Sequence, residues 1–203
     1  TIPLVNKIYA LPYECYEDGI QVYGAHGISH EDMTNRVAEL LGIPKNELNV
    51  ITCHLGNGSS ISCVHNGACI DTSMGMTPLD GLTMGTRCGR LDAGAYPRLV
   101  KKYKNVQNVD NLLNKSSGLL GISGISSDMR VLLKLRSEGN LRASLAIEKF
   151  VQEVRKVIGE YLLELEYDVD AIVFSGGIGE NNIELVRAIT SKMEKVGVIL
   201  SRE

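Results

Sequence analysis

The sequence has 203 residues, enough for one domain with a substantial core or for two small ones. Its formal charge is −3 with no run of Lys or Arg, which sets aside a nucleic-acid partner. Five cysteines, an odd number without a C-x-x-C pair, favour neither a disulfide framework nor a zinc knuckle and fit a reducing, cytoplasmic setting, while no apolar run approaches the ~20 residues of a membrane span.

The chain opens on Thr-Ile-Pro, with neither initiator Met nor signal-like segment, and we read it as a processed chain or a piece of a longer one. Pro3, Pro12 and the series Tyr9, Tyr13, Tyr16, Tyr23 predict an irregular lead-in that ends in a short strand, Ile20 to Tyr23. Ser29 then reads as the cap of a helix with Asp32 at its third position and Met33, Val37, Leu40 and Leu41 on its apolar face; Gly42 and Pro44 end it. Residues 1–44 are thus a linking segment and a first helix leading into a domain over 45–203.

Between Val50 and Pro78, the pairs Asn57-Gly58 and Asn66-Gly67 each lie between short apolar runs, and Asn-Gly is the strongest short-range hairpin signal. Three antiparallel strands are expected. The first turn, Gly56-Asn57-Gly58-Ser59-Ser60, lines up two hydroxyls and several backbone N–H groups, a composition that suits a phosphate. Thr77 to Gly89 is too rich in Gly, Thr and Met for regular structure and reads as a functional loop. Helical patterns follow at 94–104 and 107–115, then a Gly/Ser-rich break at 116–127 and another helix from Ser127 or Asp128. The longest periodic signal, 141–166, places Leu145, Phe150, Val154, Val157, Ile158, Tyr161, Leu162 and Leu165 opposite Glu148, Lys149, Glu153 and Lys156. A strand at 170–175 enters Gly176-Gly177-Ile178-Gly179-Glu180-Asn181, a helix with Ile183, Val186, Ile189 and Met193 follows, and Val196 to Leu200 reads as a last strand. A meander followed by alternating helices and strands argues an α/β layer structure.

Each candidate residue has a plain structural alternative. The Gly56–Ser60 turn by itself is a tight hairpin, but Gly85–Gly89 and Gly176–Gly179 add two more donor-rich flexible segments. His54, near the end of an apolar strand, is either a core histidine or a donor aimed at whatever the turn holds. His26 and His30 stand four apart, yet the first precedes the expected helix cap and no third metal ligand has suitable spacing. His65 is a solvated turn residue. Arg87, among small neighbours, suits bidentate contact with an oxyanion; its alternative is an ion pair with Asp80 or Asp92. Asp71 and Asp128 either cap turns or approach a metal. Arg87 beside Cys88 would lower that thiol, but no nearby His serves as its base.

Four segments together resemble the acetate kinase family: Cys53-His54-Leu55-Gly56-Asn57-Gly58-Ser59-Ser60, Asp71-Thr72-Ser73-Met74-Gly75-Met76-Thr77-Pro78-Leu79-Asp80-Gly81-Leu82, Met84-Gly85-Thr86-Arg87-Cys88-Gly89 and Phe174-Ser175-Gly176-Gly177-Ile178-Gly179-Glu180-Asn181. Tyr23 to His30 is similar to that family's Tyr-Gly-Phe-His-Gly-Thr-Ser-His. The resemblance implies a ribonuclease H-like α/β domain of the actin, Hsp70 and sugar kinase type over 45–203, incomplete at its C-terminal end. It implies reversible, Mg²⁺-dependent transfer of the ATP γ-phosphoryl group to acetate in a cytoplasmic homodimer. It further implies that His26 and Arg87 stabilise the transition state and that His54 lies beside the transferred phosphoryl. By the same resemblance Leu55, Gly56, Asn57 and Gly58 form the phosphate turn, and Asp128, Met129, Arg130, Gly177, Ile178, Gly179, Glu180 and Asn181 meet the nucleotide. None of these is a metal ligand. Ala25 and Ile28 replace the family's usual Phe and Thr, and Gly89-Arg90-Leu91-Asp92-Ala93 replaces Gly-Asp/Ser-Ile-Asp-Pro. The family's N-terminal phosphate loop, substrate-binding Arg, catalytic Asp and Mg-linked Glu have no counterpart in these residues. The alternatives are a propionate or other short-chain acyl kinase, or a non-catalytic nucleotide-binding fragment.

Overall fold

The computed structural model describes residues 2–201; Thr1, Arg202 and Glu203, which end the two ranges given above, lie outside the described residues. The expected meander forms from β1 (Val50–Leu55), β2 (Ser59–His65) and β3 (Ala68–Thr72), with Thr52 opposite Ser62 and His54 opposite Ser60. At the second turn Asn66 and Gly67 both take positive φ, 50° and 72°, as a tight hairpin of matching twist requires. A Cβ on Gly67 would stand 2.2 Å from the Lys45 carbonyl oxygen, so only glycine fits.

The fourth strand, β4 (Ala171–Ser175), lies parallel beside β1, giving the order β3-β2-β1-β4. The crossover from β3 to β4 carries five helices: α4 (Ala95–Tyr103), α5 (Val106–Lys115), α6 (Gly118–Ser123), α7 (Met129–Ser137) and α8 (Leu141–Glu164). After β4 come α9 (Gly176–Asn181) and α10 (Ile183–Thr190), and before the sheet lie α1 (Leu4–Lys7), α2 (Tyr13–Glu17) and α3 (Gly27–Leu41). Among the described residues no helix is long and apolar enough to cross a membrane.

Strand alternation sorts the sheet's side chains between two helices. Ile51, Cys53, Leu55, Ile61 and Cys63 are buried in one cluster with Ala146, Ile147, Phe150, Val154, Val157 and Ile158 of α8. The opposite face starts apolar, where Val50, Val64 and Leu48 meet Val37 of α3, and becomes polar toward the Gly56 turn through Thr52, Ser62, His54 and Ser60.

Several expectations give way to packing. The lead-in is partly helical, because Pro3 and Pro12 act as N-caps of α1 and α2, and Ile20–Tyr23 contributes only an isolated bridge, Ile8 to Gln21. Helix α3 starts at Gly27 with His26, not Ser29, as its cap, and it buries His30, Met33, Thr34 and Val37, while Leu40 is 84% exposed and Leu41 exposed. A helix laid on a polar sheet face buries polar partners, so its apolar pattern misleads. The Gly/Ser break holds α6, whose first amides bond back to the functional loop, Leu119 N–H to Met84 O and Leu120 N–H to Gly85 O. In α8 Leu145 is exposed, since Ala143 and Ile147 on either side of it hold the core stripe, and Glu153 is buried with Lys149 paired at 2.7 Å. The last strand does not form: a 3₁₀ turn over Met193–Val196 ends at Gly197 with φ 87°, and Val198 N–H bonds back to Met193 O.

Phe150 is fully buried at the centre of the α8–sheet contact. Phe150→Ala is expected to lower the urea-unfolding free energy by about 3–5 kcal/mol while leaving the folded circular-dichroism spectrum unchanged; a loss below about 1 kcal/mol would place the core elsewhere.

Candidate active site

Three remote segments converge on the first hairpin turn. The turn is closed by Gly56 N–H to Gly58 O at 3.1 Å and Ser59 Oγ–H to Gly56 O at 3.0 Å. The loop after β3 docks on it through Gly85 N–H to Asn57 O at 3.1 Å, so closely that a Cβ on Gly85 would meet Asn57 Oδ1 at 2.1 Å. That contact brings Arg87 over the turn. A Cβ placed on Gly58 would lie 3.4 Å from His26 Nε2 and 3.5 Å from Arg87 Nη1, so both side chains face the same glycine. The His54 ring stands 4.5 Å from the His26 ring, centroid to centroid.

Arg87 is oriented by neutral groups. Its Nη1 donates to Pro78 O at 3.0 Å and contacts Met84 Sδ, and among the described residues it forms no ion pair. Asp80 and Asp92, its expected alternatives, accept the amides of Gly81 and Gly94 instead. A cation left unneutralised over a donor-rich turn favours an anion there.

The imidazoles are held neutral. Burial, then the nearby His54 and Arg87, push His26 below its ordinary value, and burial does the same to His54 against the opposing pull of Glu180. His30 is lowered to about 4, mostly by burial. His26 and His30 do not form a metal pair: His26 Nδ1 and His30 Nε2 both share hydrogen bonds with Ser60 Oγ, at 2.8 and 2.7 Å, and His30 Nδ1 shares another with Thr52 Oγ1 at 2.8 Å. Among the described residues no three His, Cys, Asp or Glu side chains gather as a metal site. These residues therefore do not fit Mg²⁺ by themselves.

A cavity of about 680 Å³ adjoins the turn. It is walled by Gly56 and Asn57, by Ser127 to Arg130, and by Gly177, Ile178, Asn181 and Asn182, so it unites three segments singled out separately in the sequence. Asp128 caps α7 through Arg130 N–H and pairs with the Arg130 guanidinium at 2.6 Å, which holds its carboxyl down at about 2. Met129 and Ile178 are buried in the core cluster. Leu55 is a core residue as well, Gly58 and Gly179 do not wall the cavity, and Glu180 accepts Gly176 N–H at the start of α9. His54 and Glu180 line a separate groove between α3 and β4.

The remaining candidates resolve simply. Asp71 accepts the Thr72 amide, and His65 is exposed beside Asn66. Cys88 is raised by burial, opposite to the effect expected from Arg87. Sequence reasoning missed Thr52, the role of Ser60 between two histidines, Ser127, Asn182 and the Pro78 carbonyl. Only the alternation of Thr52 and His54 with Ile51, Cys53 and Leu55 carried a signal, marking one strand face as polar.

A family model described as the acetokinase family matches residues 1–203. The chain belongs to that family. It is 49% identical to the acetate kinase of Methanosarcina barkeri over 205 residues, covering 100% of this chain and 50% of that protein. Among solved structures, Porphyromonas gingivalis acetate kinase superposes with a TM-score of 0.94 at 39% identity, covering 98% of this chain and 50% of that one. A propionate kinase from Francisella tularensis superposes with a TM-score of 0.92 at 43% identity, covering 99% and 52%. The chain spans about half the length of the curated relatives it matches. The α/β, ribonuclease H-like fold class expected from the sequence holds for this acetokinase-family chain.

The buried His30 makes stability depend on acid. Its folded pKa, about 4, is depressed from the ordinary 6.5, so its contribution is fully present above about pH 6.5 and is lost as the pH falls toward 4. Asp71 works the other way, because burial, with Glu164 and Glu160 adding to it, raises its carboxyl to about 6 and protonation relieves it. The stability advantage of wild type over His30→Gln isolates the histidine. Urea unfolding should show that advantage shrinking by on the order of 3 kcal/mol between pH 7 and pH 4; a pH-independent difference would refute the assignment.

Proposed function

We propose that the protein containing this chain transfers the γ-phosphoryl group of ATP to acetate, reversibly and with Mg²⁺, giving acetyl phosphate and ADP. The observation that carries this reading is the convergence of His26 and Arg87 on Gly58, beside a cavity built from the turn, the start of α7 and the start of α9. Membership of the acetokinase family supports it further.

In this reading an acetate oxygen attacks the γ-phosphorus while the β–γ bridging oxygen departs in line, and the protein's work is positioning and charge neutralisation. Arg87, which has no carboxylate partner among the described residues, is the cation over the transferred group, and His26, neutral and half-buried, donates a hydrogen bond to an equatorial oxygen. His54 flanks the same oxygens from β1. The turn through His54, Leu55, Gly56, Asn57 and Gly58 cradles phosphate. Asp128, Met129, Arg130 and the segment Gly177, Ile178, Gly179, Glu180 and Asn181 hold the nucleotide, Met129 and Ile178 by backbone alone since their side chains are core. Residues 45–203 form the nucleotide- and phosphate-binding domain, with 1–44 leading into it. Residues of this chain would not hold Mg²⁺ by themselves; the family's Mg-linked Glu, which has no counterpart here, would help hold it, and the ion would supply charge neutralisation of the transferred phosphoryl group. The five unpaired thiols are in keeping with a cytoplasmic enzyme, and we propose a homodimer from the family resemblance.

Ala25, immediately before His26, favours a second reading, propionate or another short-chain acid as acceptor. A small side chain stands there in place of the family's usual Phe, leaving room for a longer acyl group.

Arg87→Ala in the whole protein is expected to lower kcat at least ~100-fold in a hydroxamate assay with ATP and acetate, from loss of a charged transition-state contact. Near-wild-type turnover would sink the role given to Arg87. The 203-residue chain alone should bind ATP weakly by calorimetry and turn over little, because half of a cleft neither excludes water nor aligns two substrates. Robust turnover by the pure chain would overturn that expectation.

A further inference from the structure

We propose that Thr52, His30 and Ser60 form a buried hydrogen-bond relay that holds His26 in the tautomer whose Nε2 carries its proton toward the Gly58 turn. The relay deepens the phosphoryl-transfer reading above and rests on it. Its three members are positioning residues, since they act on the reacting group only through His26.

The contacts run in one line from β1 to the site. Thr52 Oγ1 lies 2.8 Å from His30 Nδ1, His30 Nε2 lies 2.7 Å from Ser60 Oγ, and Ser60 Oγ lies 2.8 Å from His26 Nδ1. His26 Nε2, the free end, faces Gly58 beside Arg87 Nη1. Thr52 and Ser60 are fully buried and His30 is 5% exposed, so water does not serve as a substitute partner along the line. Sequence and fold set the register: β1 and β2 pair Thr52 with Ser62 and His54 with Ser60, and α3 lays His30 between the two hydroxyls.

Proton counting decides the direction. The Ser60 hydroxyl has one proton and two imidazole neighbours, so it donates to one and accepts from the other. In the first direction Thr52 O–H donates to His30 Nδ1, His30 Nε2–H donates to Ser60, Ser60 O–H donates to His26 Nδ1, and His26 keeps its proton on Nε2. Every buried proton then has an acceptor. In the reverse direction His26 Nδ1–H donates to Ser60, Ser60 O–H to His30 Nε2, and His30 Nδ1–H to Thr52. The Thr52 hydroxyl proton is then left in a fully buried position without an acceptor among the described residues. The first direction therefore prevails.

This choice matters because the neutral imidazole has one proton. Burial, then the neighbouring His54 and Arg87, disfavours the His26 cation. A neutral His26 is a donor to an anionic phosphoryl group only as the Nε2–H tautomer; the other tautomer turns a lone pair on the same oxygens. A hydroxyl seated on β1, which touches neither the turn nor the cavity, thus sets the polarity of a group at the reacting centre.

Histidine nitrogen-15 shifts at pH 8 test the relay directly in the protein. In wild type His26 should show a pyridine-type Nδ1 and a pyrrole-type Nε2, and Ser60→Ala and Thr52→Val should each raise the Nδ1–H population. Thr52→Val, which keeps the native side-chain shape, carries the test if Ser60→Ala does not fold. A wild-type His26 protonated on Nδ1, or a tautomer ratio unmoved by Thr52→Val, would overturn the relay. In the whole protein Thr52→Val should lower kcat about tenfold with KM for ATP changed less than about twofold; an altered tautomer with unaltered kcat would remove the positioning role. If the wild-type protein makes no acyl phosphate, the functional reading fails while the nitrogen shifts still decide the relay.

Discussion

Along β1 the side chains of Ile51, Cys53 and Leu55 turn to one face of the sheet while Thr52 and His54 turn to the other, and β2 matches this with Ile61 and Cys63 against Ser60 and Ser62. The rest of the structure depends on that alternation. The apolar face recruits α8 and with it most of the core. The polar face cannot take an apolar helix along its whole length without leaving hydroxyls unpaired, so α3 meets it with Val37 at one end and with His30 and Thr34 toward the other. A slip of one residue in this register would bury the histidine and serines against α8 and turn the aliphatic set toward the site.

Close backbone approach is the second constraint. Gly85 and Gly118 each stand where a side chain would strike its neighbours, and Gly58 sits close under His26 and Arg87: Asn57 Oδ1 lies 2.1 Å from where a Cβ on Gly85 would be, and the Met84 carbonyl 2.1 Å from one on Gly118. These contacts fasten hairpin turn, functional loop and α6 into one assembly with few side chains between them, which is how a loop without regular structure presents Arg87 in a defined place. His26 adds local strain, a non-glycine residue at φ 61° and ψ 20°, of a kind that costs about 1–3 kcal/mol. Its hydrogen bond to Ser60 and the His30 amide bonded to its carbonyl hold it there.

The electrostatics follow from burial. Three imidazoles within one small region are pushed toward neutrality, leaving Arg87 at the turn as a cation without a carboxylate partner among the described residues. Positive charge is thus localised on a planar group that is held by a carbonyl. The Asp128–Arg130 pair at the cavity edge neutralises itself and caps α7, so its side chains act first as structure.

Short-range chemistry was legible in the sequence. The two Asn-Gly turns, the three strands they join, the helix that starts beside Asp128, the long helix and the strand at 171–175 stand where local pattern put them, because turn geometry and periodicity are decided by neighbours a few residues apart; Gly176–Asn181, expected as a glycine turn, is instead the helix α9. The motif segments carried the family for the same reason. Only the tertiary structure decided what distant segments do to one another: that Ser29 yields the cap to His26, that Leu40 and Leu145 stay in solvent while Glu153 is buried, and that Val196–Leu200 turns back and forms no strand. It also decided that His30 meets Thr52 and Ser60, residues 22 and 30 positions away, and no metal pair with His26. A hydroxyl's partner, and so an imidazole's proton, is set by the packing of a helix on a sheet face, and no local pattern encodes that distance.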